Sequence, residues 1–131
     1  MDPNESQDYA DIDDLLASSE EEVERGEVQI RAELTRTQAH ASWCRTRLAR
    51  LRSQRRRASG NLHIELARLI TAQFQGYPAG YIGITSRLVE LRRGRVIRLL
   101  VDIDRVEDWL REAILKERAL AQELAQLSGE I

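Results

Sequence analysis

The stretch "VIRLLVDIDRVEDWLREAILKERALAQELAQL", Val96 to Leu127, decides how this chain folds. Residues recur in it at alternating intervals of three and four: Val96, Leu99, Ile103, Val106, Leu110, Ala113, Glu117, Leu120, Leu124 and Leu127. Nine of these ten positions are apolar, Glu117 being the exception. A seam of this period, held over several heptads, predicts a long helix packed against another helix in the manner of a coiled coil. Gly94 stands just before the stretch and costs about 1 kcal/mol relative to Ala inside a helix. A kink or break there, or a short strand over "RVIRLLVDI", is the competing local reading.

A second seam lies upstream, at Val23, Glu27, Ile30, Leu34, Thr37, Ala41, Cys44, Leu48 and Leu51. Two overlapping [ST]-x-x-E capping boxes in Ser18-Ser19-Glu20-Glu21-Glu22 predict that its helix begins there. Arg55 falls on the next seam position, and Ser59-Gly60 reads as a helix stop. Asn61 then caps a shorter helix, "LHIELARLITAQFQ", whose Leu62, Leu66, Leu69 and Ile70 share a face and which Gly76 and Pro78 close. "GYPAGYIGI" reads as the loop of the protein.

The predicted organisation is therefore an acidic, disordered tail over residues 1–17 and a helical domain over 18–131, with helices at about 18–59, 61–75 and 86–128 and a loop at 76–85. The fold class is all-α, with two long coiled-coil-type helices and one short one. An antiparallel hairpin that shares its seam with a second copy, as a dimeric four-helix bundle, buries these rods most economically. The seam assigned to the oligomer is Leu34, Cys44, Leu48, Leu51, Val96, Leu99, Ile103, Val106, Leu110, Leu120, Leu124 and Leu127.

Charge is segregated along the chain. Residues 1–24 hold ten acids and no base, whereas residues 45–98 hold thirteen arginines against Glu65 and Glu90. "CRTRLARLRSQRRR", Cys44 to Arg57, alone contains seven arginines. Lys116 is the single lysine beside nineteen arginines. Either planar bidentate contacts to phosphate or carboxylate are in demand, or a GC-rich genome writes Arg where Lys would serve.

In an antiparallel hairpin the two basic stretches meet at one pole. Arg45, Arg52 and Arg56 fall on one flank of the Leu48/Leu51 seam, and Arg47, Arg50 and Arg57 on the other. With Arg87, Arg93, Arg95 and Arg98 they are the candidate phosphate contacts. Tyr77 and Tyr81 are candidates for stacking on bases at that pole, while Phe74 reads as a plug at the end of the bundle.

Other chemistry has little to stand on. His40 and Cys44 lie one turn apart, but two ligands do not make a zinc site, so no metal or cofactor is expected. Cys44, the only cysteine, reads as a small core residue. No glycine-rich phosphate loop, nucleophile elbow or His-carboxylate pairing is present, so no enzyme is expected. "IELARLI" and "ITSRLVELRRG" have the form of a helix-turn-helix, but the thirteen residues between them are too many for its turn. No apolar run approaches the ~20 residues of a membrane span.

The expectation is a non-enzymatic helical homo-oligomer, cytoplasmic or nuclear. It binds RNA or DNA through its arginine-rich pole, largely independently of sequence, with the acidic tail competing for that pole. The alternative is a coiled-coil assembly or adaptor protein whose basic pole meets an acidic protein surface. The net charge of −2 favours the alternative, and the segregation of charge favours the first.

Overall fold

The computed structural model describes residues 3–129, with side chains from Gly26 onward. It is all-helical: α1 spans Pro3–Phe74 and α2 spans Ala79–Leu127, and no strand occurs among the described residues. The side chains of the acidic segment 1–17 lie outside the described residues, as does Val23 of the first seam.

Three boundaries differ from the sequence reading. α1 already begins at Pro3, so residues 3–17 of the segment read as a disordered tail are helical and the helix start read at Ser18-Ser19-Glu20-Glu21-Glu22 lies inside α1. α1 passes through Ser59, Gly60 and Asn61 without a break, so the separate short helix 61–75 is the end of α1. The first seam likewise continues in register past Arg55, through buried Ala58, half-buried Leu62, buried Glu65, half-buried Leu69 and buried Ala72. Gly60 is on the exposed face, where a Cβ would meet nothing within 4 Å. Its cost of about 1 kcal/mol is outweighed by apolar burial on both sides, at about 0.8 kcal/mol per methylene. Ile70 is exposed, unlike the three leucines that share its sequence motif.

The loop is also shorter than expected. Only Gln75 to Pro78 link the helices, and "AGYIGI" forms the first turns of α2. The turn is a Schellman cap: Gly76 has φ of 68°, its N–H donates to Gln73 O at 3.3 Å, and Tyr77 N–H donates to Ala72 O at 3.0 Å. Pro78 then caps α2, its carbonyl accepting from Tyr81 and Ile82 at 3.0 and 3.1 Å. α2 runs on unbroken through Gly94, which rules out both the break and the short strand there. "IELARLI" and "ITSRLVELRRG" lie within these two long helices and form no helix-turn-helix.

The helices contribute to two compact units. One is Ala41–Glu112; the other combines the chain up to His40 with Ala113 onward. In the first, climbing α1 from Trp43 to Asn61 descends α2 from Trp109 to Leu88, so the helices are antiparallel. Its core is Cys44, Leu48, Leu51, Ala58, Leu99, Ile103 and Val106, with Val96 and Leu110 packed against it. Of the seam assigned above to the oligomer, Cys44, Leu48, Leu51, Leu99, Ile103 and Val106 are buried within one chain, and Val96 and Leu110 are partly buried.

In the second unit Thr37, Ala113 and Leu120 are buried, Ile30, Leu34 and Leu124 are half-buried, and Leu127 is exposed. Its polar seam positions are satisfied. Glu117 accepts from Gln38 at 3.5 Å, Glu27 pairs with Arg31 at 2.8 Å, and Thr37 donates to Glu33 O at 2.8 Å. Lys116 closes a 2.8 Å pair with Glu33, which holds the Glu33 carboxyl below its ordinary range.

Candidate functional site

The hairpin unit Ala41–Glu112 concentrates positive charge: it carries fifteen arginines against seven acids, while the rest of the chain carries five bases against fifteen acids. The heptad geometry determines where those arginines go. With Cys44, Leu48, Leu51 and Ala58 facing α2, the residues one step to one side of the seam border the neighbouring helix along a single flank. Two grooves run along that flank.

The first groove, of about 450 Å³, is lined by Gln54, Arg57, Ala58 and Asn61 from α1 and by Leu88, Leu91, Arg92 and Arg95 from α2. It contains three arginines and no acid. The second, of about 330 Å³, is lined by Trp43, Arg47, Arg50 and Leu51 and by Asp102, Arg105, Val106 and Trp109. Three arginines accompany one acid there, and the rings of Trp43 and Trp109 have centroids 6.3 Å apart and planes inclined by 33°.

The expected arginines divide accordingly. Arg47 and Arg50 meet in the tryptophan groove, and Arg57 and Arg95 in the other. Arg52 is paired across the hairpin with Glu107 at 3.2 Å, and Arg93 along its own helix with Glu90 at 2.9 Å. Arg45, Arg56, Arg87 and Arg98 are exposed. The basic stretches do meet, along one flank of the hairpin unit.

The aromatic assignments change more. Tyr77 and Tyr81 stack edge to face on each other at 5.3 Å, beside the turn, and line neither groove. The middle of the nearer groove is eleven residues along α2 from Tyr81, about 16 Å at 1.5 Å per residue. Phe74 plugs nothing, being 92% exposed. The aromatic residues that accompany arginines are instead Trp43 and Trp109, which sequence reasoning missed together with Arg92 and Arg105. A signal was present: Trp43, Arg50 and Arg57 are spaced by seven, as are Leu88, Arg95, Asp102 and Trp109, so each set lies on one helical stripe.

Other chemistry remains sparse. Among the described residues no three His, Cys, Asp or Glu side chains gather as a metal-holding group. Cys44 is fully buried, and burial pushes its thiol pKa up despite neighbouring Arg45. Glu65, buried on the seam, is joined by Arg68 at 3.1 Å. Ser59, which follows a basophilic kinase-like Arg56-Arg57-Ala58, is half-buried within α1. No helix among the described residues is long and apolar enough to cross a membrane. Compared with protein-family models, curated proteins and solved structures, the chain matches none.

Proposed function

We propose that this protein is a non-enzymatic, cytoplasmic or nuclear helical protein that binds RNA or DNA along the arginine-lined flank of its hairpin. The observation that carries the reading is the convergence of Arg57, Arg92 and Arg95 on a groove without an acid, beside a second groove holding Arg47, Arg50 and Arg105. Guanidinium groups from two helices, held along one line by helical backbones, suit a run of phosphates. Such contacts position a protein on a backbone without reading bases, so binding is largely independent of sequence. The acidic segment 1–17 competes with the polyanion for these arginines.

The experiment is a titration against single- and double-stranded RNA and DNA at two salt concentrations. Six arginine–phosphate contacts predict a loss of roughly a thousandfold in duplex affinity between 50 and 200 mM salt. Absence of salt-dependent binding to any of the four nucleic acids overturns the proposal.

A second reading rests on a different surface. Ile97, Leu100 and Val101 of α2 are 53, 45 and 51% exposed, which is costly for a hairpin alone in water. These residues favour coiled-coil assembly, either as a homodimeric four-helix bundle or as an adaptor whose basic flank meets an acidic protein surface. Sedimentation at micromolar concentration distinguishes a dimer from a monomer, and capture by an acidic protein in place of nucleic acid supports the adaptor.

A further inference from the structure

Trp43 and Trp109 are the chain's two tryptophans, and they stand opposite each other on different helices. Each is substantially uncovered, Trp43 by 51% and Trp109 by 39%. Both line one groove together with Leu51 and Val106 of the core, and the uncovered part of each ring remains accessible from water. Around the pair stand Arg47, Arg50 and Arg105, with Asp102 as the one acid.

We propose that this tryptophan pair is a base-stacking site, so that the nucleic acid bound by the hairpin is single-stranded. The inference rests on the polyanion reading above and narrows it to a substrate class. An unpaired base presents a free π-face, whereas duplex bases keep theirs within the stack. With centroids 6.3 Å apart and planes inclined by 33°, the two rings form a tilted pair with each other, and each leaves ring surface uncovered on which an unpaired base can stack. Arg47, Arg50 and Arg105 then border the groove where the adjoining phosphates run. Arg57, Arg92 and Arg95 continue the basic track along the same flank.

The two indoles also provide the readout. The full chain is titrated with a deoxythymidine oligonucleotide, a uridine oligonucleotide and a duplex of equal length at 50 and 200 mM salt, following tryptophan fluorescence and anisotropy together. Single strands are expected to quench the fluorescence and the duplex is not. Trp43→Leu and Trp109→Leu should each weaken single-strand binding roughly 5- to 150-fold, the equivalent of about 1–3 kcal/mol per stacked base, while duplex affinity stays within about twofold. Trp109→Phe keeps a ring and should restore most of the affinity, which separates stacking from a fold defect; circular dichroism checks the fold of each variant. Single-strand affinity that survives both Leu variants, or binding without quenching, overturns the stacking site while leaving the polyanion reading intact. Quenching by polyglutamate equal to that by single strands overturns it in favour of an acidic protein partner. Absence of binding to every nucleic acid removes the polyanion reading and this proposal with it.

Discussion

Arg52 and Glu107, fifty-five residues apart in the chain, close a 3.2 Å ion pair across the hairpin. Of the three arginines on that side of the seam, Arg45, Arg52 and Arg56, this one already has its counter-charge. Its side chain is 54% exposed and that of Glu107 37%, so solvent and salt screen the pair. Arg52→Gln should therefore cost less than about 1 kcal/mol in urea unfolding and barely change polyanion affinity. A large loss of affinity in this variant would move the binding surface to the Arg52 side of the hairpin.

The arginines of the grooved flank should behave differently. Replacing Arg57, Arg92 and Arg95 together by Gln removes three positive charges from one groove without touching a buried core side chain. Helix content by circular dichroism should be unchanged. Affinity for nucleic acid should fall about equally across sequences. The salt dependence should become shallower by about 0.9 log units per lost contact on duplex and about 0.7 on single strands. An unaltered slope would exclude these three as phosphate contacts.

Gly60 and Gly76 make opposite predictions, because one is helical and exposed and the other is left-handed. A Cβ at Gly60 enters open space within α1, so Gly60→Ala should stabilise the protein by about 0.5–1 kcal/mol. Gly76 holds φ at 68° in the cap of α1, so Gly76→Ala should destabilise it by about 1–2 kcal/mol. Chemical denaturation of the two variants checks both. Destabilisation by Gly60→Ala would mean that α1 ends near that residue.

Packing predicts a contrast between two leucines. Leu51 is 1% exposed within the core, so Leu51→Ala should cost about 2–5 kcal/mol, while Leu91, 68% exposed, should tolerate Ala almost without cost in the isolated hairpin. Leu110→Asp, which places a charge against the same core, should be at least as damaging as Leu51→Ala. A Leu91→Ala variant that dissociates in sedimentation would reveal an interface between copies there.

Two titrations predict how stability changes with pH. Burial raises the Cys44 thiol pKa in the folded chain. Folded and unfolded thiols are both protonated below the unfolded value of about 8.5. Above that pH the unfolded chain loses its proton first, and stability falls. The Glu33 carboxyl is lowered, first by its hydrogen bond from Lys116 and then by that ammonium's charge. Its contribution is present above the ordinary carboxylate range and is lost as pH falls through the lowered folded value. Urea unfolding from pH 3 to 10 should show the alkaline loss vanish in Cys44→Ala and the acid loss diminish in Glu33→Gln.

The sequence alone was enough for the helical class, because the spacing of Val96, Leu99, Ile103 and Val106 is a local property that only a helix turns into one face. The turn was equally legible, since Gly76 supplies the left-handed residue of the cap and Pro78 cannot continue α1. What lies between Arg55 and Ala72 was not. Ser59 and Gly60 are locally unfavourable to helix, and α1 continues because Ala58 and Ala72 are buried and Leu62 and Leu69 half-buried on its seam, a gain that exists only with a facing helix. The same applies at the start of α2, where Gly80 and Gly83 are carried within the helix and Thr85 and Val89 are buried. The candidate site was decided wholly by tertiary structure. Sequence counts the arginines of residues 45–98, but only the antiparallel register sets Trp43 opposite Trp109 and brings Arg57 beside Arg92 and Arg95. Register between helices depends on which side chains fill the core between them, and shifting it along the hairpin would give each of these residues a different neighbour.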